Sequence, residues 1–217
     1  MLKKISSVIT GFLILFSLFS CEKSDSKTKS SSKYSKSDII GEWYSGEIGG
    51  SFYFDEDNNF SLRVDVTDVM YIDSKGISHI TGSDDDYSDY CNYDGETYTF
   101  NINGIDMLTM TRKEKSDSDS IYGKYILKSG ILYDELSDEY EKIDDRYNII
   151  VNENILTAEI NMCEYSVDNG IITFSGNDLE IFGTDENKDT KFNFAVQNDV
   201  LTLVQGEERL VFSKISD

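Results

Sequence analysis

Phe52-Tyr53-Phe54-Asp55-Glu56-Asp57-Asn58-Asn59-Phe60-Ser61-Leu62-Arg63-Val64-Asp65-Val66 holds two alternating runs on either side of a polar turn. Phe52 and Phe54, then Phe60, Leu62, Val64 and Val66, share one face, and Ser, Arg and Asp take the other. A period of two is the mark of a half-buried antiparallel strand. The Asp/Asn cluster between the runs supplies residues that tolerate tight-turn geometry. The stretch therefore reads as a β-hairpin, and its pattern recurs along the chain. Phe192, Phe194 and Val196 repeat it, as do Leu201 and Leu203.

Proline is absent from all 217 residues, where average usage is ~5%. Turns must then be made by Asn, Asp and Gly. Lys75-Gly76, Asp94-Gly95, Asn103-Gly104, Asn169-Gly170 and Asn198-Asp199 each lie between short β-branched and aromatic runs. Asn-Gly and Asp-Gly accept positive φ and favour tight hairpins. Such signals recur about every 8–12 residues, which favours a sandwich or barrel. One stretch departs from this. Leu132, Leu136, Tyr140 and Ile143 stand at helical spacing, so residues 132–146 read as a short helix or an acidic loop.

The chain also repeats itself. Tyr71 to Gly82 aligns without gaps on Tyr165 to Gly176, at an offset of 94, and Tyr98, Phe100 and Ile102 meet Phe192, Phe194 and Val196. Leu108-Thr109-Met110 meets Leu201-Thr202-Leu203 one residue later. Upstream, Ile40-Gly41-Glu42-Trp43 resembles Tyr122-Gly123-Lys124-Tyr125, with the glycines 82 apart. Shared order and spacing over four elements point to a duplication. The reading divides the chain into a first β-domain at 38–113, a linker at 114–120 and a second β-domain at 121–217. Leu210-Val211-Phe212 has no counterpart before Ser120, so the first barrel is expected open rather than fully closed.

The amino terminus has a different character. Lys3 and Lys4 precede an apolar run from Ile9 to Phe19. That run is too short to cross a bilayer, which takes ~20 apolar residues, and has the composition of a secretory signal. Leu18-Phe19-Ser20-Cys21 resembles the lipobox of bacterial lipoproteins, in which cleavage falls before the cysteine and its sulfur receives a diacylglycerol. The resemblance implies a signal peptide at 1–20, a lipidated Cys21 and an extracytoplasmic protein held at the cell membrane. Residues 22–37 include seven Ser and five Lys, a composition that cannot bury enough apolar surface to order itself. Residues 21–37 thus read as the lipidated cysteine and a flexible tether.

The whole chain carries a formal charge of −21. Removing Lys3, Lys4 and the net +3 of the tether leaves −26 on residues 38–217. A body that acidic repels phosphate backbones, which excludes nucleic acid as a partner. Its 14 Tyr and 12 Phe separate it from disordered acidic tails.

Each copy opens with Gly-x-aromatic, continues through an aromatic hairpin and closes on an Asn/Asp-x-Leu-Thr-hydrophobic hairpin. This pattern resembles the small lipocalin-like domains that stand behind lipoboxes in many bacterial lipoproteins. Gly41-Glu42-Trp43 is similar to the lipocalin Gly-x-Trp, and Gly123-Lys124-Tyr125 has Tyr125 in place of the Trp. The resemblance implies two tandem antiparallel meander β-barrels, with Gly41, Trp43, Gly123 and Tyr125 structural, and no particular ligand.

Catalytic constellations are not visible. His79 is the only histidine and lacks a second for a metal or relay. No nucleophile elbow, P-loop or dinucleotide fingerprint occurs. Asp84, Asp85, Asp86 and Asp89 form a dense carboxylate loop of the kind that suits Ca²⁺; it also reads as a solvated loop, and no metal or cofactor is expected. Outside the cytoplasm Cys91 and Cys163 can form a disulfide or stay as buried thiols. Two functions follow. One is a membrane-anchored, non-catalytic binding protein holding a small apolar ligand in a barrel. The other is a surface module with filled cores that contacts a protein or envelope component, presenting aromatics such as Tyr87, Tyr90 and Tyr93.

Overall fold

The computed structural model describes residues 34–68, 70–113, 120–131, 133–134, 146–153, 155–175 and 189–215. The signal segment, Cys21 and the tether to residue 33 lie outside them, as do residues 114–119 of the linker. So does most of 132–146; at its start the Asp134 N–H donates to the Gly130 carbonyl (2.9 Å), one helical turn.

The fold is all-β and antiparallel. The described residues form β1 (Gly41–Ser45), β2 (Gly50–Phe54), β3 (Asn59–Asp65), β4 (Met70–Ile72), β5 (Ser78–Ile80), β6 (Cys91–Tyr93), β7 (Thr97–Ile102) and β8 (Ile105–Arg112). These are followed by β9 (Gly123–Ser129), β10 (Tyr147–Asn152), β11 (Ile155–Asp168), β12 (Ile171–Ser175), β13 (Thr190–Gln197), β14 (Val200–Gln205) and β15 (Glu208–Lys214). The hairpin at 52–66 is present as read, with Phe52 opposite Leu62 and Phe54 opposite Phe60. The proline-free turns also follow expectation. Asn103-Gly104, Asn169-Gly170 and Asn198-Asp199 all have positive φ at both residues, as the tightest hairpin turns require.

The described residues divide into two compact units that do not coincide with 38–113 and 121–217. One is contiguous, Val64–Ile160; the other joins residues up to Arg63 to Asn161–Asp217. The discontinuous unit is a closed ring. β15 pairs with β1, β1 with β2 and β2 with β3; β3 lies beside β11, and β12, β13 and β14 return the ring to β15. In the contiguous unit β6, β7, β8, β9, β10 and β11 form a sheet. The segment that leads into and forms the β4–β5 hairpin is tied to both of its edges: Val66 N–H, ahead of β4, donates to the Leu156 carbonyl of β11 (2.9 Å), and Ser78 N–H of β5 to the Cys91 sulfur of β6 (3.2 Å).

Two local causes redraw the boundaries. First, β11 runs for 14 residues without a turn, so its start pairs with β10 and its end with β12. A strand that long cannot double back within one copy. Second, β1 pairs with β15 and β9 pairs with β8. β8 thereby takes in the contiguous unit the place beside β9 that β15 takes beside β1, and the missing counterpart of Leu210-Val211-Phe212 is Leu108-Thr109-Met110. Each unit is built from both copies of the repeat.

Candidate functional site

The residues expected to be structural form one device twice. In the discontinuous unit Trp43 is fully buried, and its indole N–H donates to the Ile39 carbonyl (2.7 Å). Lys214, from the closing strand, holds its ammonium 5.3 Å from the ring centre. In the contiguous unit Tyr125 is fully buried, and its hydroxyl donates to the Ile121 carbonyl (2.5 Å). Arg112, from the equivalent strand β8, places its guanidinium 5.2 Å from that ring. Arg112 also donates to Tyr93 Oη (2.8 Å), Tyr125 Oη (3.0 Å) and the carbonyls of Tyr122 (3.1 Å) and Ser120. In both cases the acceptor lies four residues before the ring. Gly123 has φ +151°, and a Cβ there would lie 2.9 Å from Arg112 Nη1, so only glycine admits the cation so close to the backbone. Arg112 and Lys214 escaped the sequence reading. The signal was present in the alternation Leu108, Met110, Arg112 against Leu210, Phe212, Lys214, at an offset of 102, which the 93-residue alignment obscures.

The interior of the discontinuous unit is aromatic. Phe52 meets Phe212 at 4.5 Å and Phe60 at 4.9 Å between ring centres; Phe54 meets Phe60 and Tyr165, each at 5.2 Å. Phe174 meets Phe60 at 4.8 Å and Phe192 at 5.9 Å. These separations are those of rings in direct contact, mostly edge-on or tilted. Tyr165 Oη donates to the Asp55 carbonyl (2.7 Å).

Several charged side chains within the strands are paired. Arg63 bonds Glu42 (2.6 Å) and stacks 3.6 Å above Tyr53, while Ser51 Oγ donates to the other Glu42 oxygen (2.6 Å). Glu159, almost fully buried, pairs with Lys124 and accepts from Asn148 (3.2 Å). The wall of β14, β15 and β1 turns Val200, Thr202, Val204, Val211, Ser213 and Tyr44 outward, with Tyr44 48% and Val211 39% exposed. This mostly uncharged strip, bordered by Arg209 opposite Val204 and by Glu42 on β1, is the candidate contact surface.

The other expected residues have local employment. Asp85 accepts from Ser83 Oγ (3.0 Å) and Tyr87 Oη (3.2 Å), and Asp86 accepts from the Ser88 N–H (2.9 Å). Among the described residues no group of three or more His, Cys, Asp or Glu converges to hold a metal. Tyr87 is buried at 4% exposure, and Tyr93 is occupied by Arg112, which leaves only Tyr90 of the three exposed. The expectation of a tyrosine-presenting loop is corrected accordingly: Tyr87 packs against Phe100 at 5.7 Å. His79 stacks on Tyr71 at 4.8 Å and bonds Asp73 (3.1 Å). Asp73 lies below the ordinary carboxylate range; burial opposes this, but the Ile77 and Lys75 N–H groups and His79 outweigh it. Cys91 and Cys163 are both thiols, so the disulfide is not formed. Cys91 instead accepts the Ser78 N–H and lies beside the buried Tyr98, whose hydroxyl is 2.5 Å from Ser78 Oγ.

Three tyrosines have raised pKa values. Burial, then the Asp55 charge, pushes Tyr165 up to about 12. Tyr98 is raised by burial and Cys91, and Tyr125 by burial and Tyr93. Folding favours the protonated phenol in each. The Tyr165 contribution is therefore complete below the ordinary tyrosine value of 10.0 and is lost as pH climbs from there toward 12, and Tyr98 and Tyr125 hold their protons further still. Tyrosinate absorbance of this subset should appear together with loss of β dichroism in that window. Full titration of all tyrosines near pH 10 with the fold intact would contradict it.

Compared with known proteins, the chain matches no family model, no curated protein and no solved structure.

Proposed function

We propose that the protein is a lipid-anchored extracytoplasmic contact module, attached to the cell membrane through Cys21, that works by binding and not by catalysis. Its two lipocalin-like units serve as filled scaffolds. The observation that carries this reading is the ring cluster of Phe52, Phe54, Phe60, Phe174, Phe192 and Phe212, whose contacts occupy the interior of the discontinuous unit. Barrels of eight strands are just wide enough for side chains to fill. Six phenylalanines in mutual contact favour a core over a ligand chamber. Binding then falls to the outside, where the mostly uncharged strip around Tyr44 and Val211 interrupts a body of net charge −26.

Native mass spectrometry of the Cys21→Ala protein, purified without denaturation from its producer, tests the filled core. The expected mass is that of the polypeptide alone. A reproducible added mass that organic extraction removes would restore the small apolar ligand. The anchor is tested separately: labelled palmitate enters the wild-type protein and is absent from Cys21→Ala, and label retained by the variant would overturn the lipobox reading.

A further inference from the structure

We propose that a second copy of this chain is a partner, engaged by exchange of the amino-terminal arm formed by β1, β2 and β3. The arm brings Trp43, Phe52, Phe54, Phe60 and Leu62 into the discontinuous unit, all essentially fully buried. It bonds to the remainder of that unit along both of its edges, β1 to β15 and β3 to β11. Covalently it is held at one place only, the passage from Arg63 to Val64. The gap that it fills, between β15 and β11, is identical in every copy.

The repeat marks the hinge. At the offset of 94, residues 66–68 correspond to 160–162. In the first copy this position turns: Met70 N–H donates to the Val66 carbonyl (3.1 Å) and Thr67 N–H to Asp65 Oδ1 (2.8 Å). In the second copy the same position lies inside the unbroken β11, at the passage from Ile160 to Asn161. One sequence position thus occurs bent and straight in a single molecule. A turn between two strands that do not pair with each other, opened into continuous strand, serves as the hinge of exchanged dimers, which reuse existing contacts at low cost. Exchange between chains makes no contact that the monomer lacks. The balance is set by concentration against the effective concentration of the chain's own arm, of millimolar order for short connections.

The test uses the full chain as Cys21→Ala, with Cys91→Ser and Cys163→Ser, and with Tyr44→Cys and Ser213→Cys, which face each other across β1 and β15. It is unfolded, refolded over a range of concentrations and oxidised. Covalent dimers are expected, with a dimer-to-monomer ratio that rises about tenfold for each tenfold in concentration while monomer dominates. Chains with two different tags give mixed dimers when refolded together and none when mixed after folding. Intrachain disulfides alone at every concentration would overturn the proposal, and so would dimers in which both disulfides are intrachain. Should the cysteine pair prevent folding, the tagged chains without it are refolded together and separated by size; mixed-tag dimers support the exchange, and monomers only refute it.

Discussion

Residues 64–160 expressed alone fold into a β-domain, and residues 120–217 expressed alone do not. The first fragment is contiguous and includes both members of the pair β8 and β9, together with Arg112 and Tyr125. The second fragment contains β11 to β15 but none of β1, β2 or β3. It leaves the β15 edge unpaired, and Phe174, Phe212 and Tyr165 lose their contacts with Phe60, Phe52 and Phe54. Burial of an aromatic or large aliphatic side chain contributes ~1.5–3 kcal/mol, so loss of the five from the arm is as large as the ~5–15 kcal/mol by which a domain is usually stable. Far-UV dichroism and proton NMR dispersion decide the matter. Dispersed spectra from monomeric 120–217 with coil from 64–160 would reverse the assignment of strands to units.

Trp43→Ala is the second change of large effect. A buried tryptophan truncated to alanine costs ~3–5 kcal/mol, and here it also leaves the Ile39 carbonyl without its donor and Lys214 without the ring. The expected result is selective: the discontinuous unit unfolds at markedly lower denaturant, and limited proteolysis releases a protected fragment close to 64–160. In the wild type, Trp43 is the only tryptophan. Its emission should be blue-shifted and move red in one cooperative step. Native emission at the wavelength of water-exposed indole would contradict the closed ring.

The hairpins, their turns and the paired roles of Trp43 and Tyr125 were legible because they are local. Alternation records which face is buried, and Asn-Gly records positive φ. The pairing of β1 with β15 was not legible, because backbone hydrogen bonds carry no side-chain signature, and β8, β14 and β15 share the same alternation. Leu108-Thr109-Met110 therefore aligned with Leu201-Thr202-Leu203 in β14, whereas the cation that follows it, Arg112, places it with Lys214 in β15. The exchange hid for a related reason: residues 160–162 give no sign that the turn of residues 66–68 is missing there. Among candidate site residues, the carboxylates of Asp85 and Asp86 looked free in sequence because their hydrogen-bond donors, Ser83, Tyr87 and Ser88, are as common in loops as in sites.

The pairing of β1 with β15 also fixes an order of events during synthesis. Trp43 faces Lys214, about 170 residues later in the chain, and ribosomes add roughly 5–20 residues per second. Arg112 and Tyr125 are only 13 apart, and the contiguous unit is complete once Ile160 has emerged. The arm is made first and completed last. For roughly ten to thirty seconds at that rate, the nascent chain carries three strands without the β15 edge and the Phe212 ring that cover them in the finished unit. This is the interval in which a holding chaperone has most to protect.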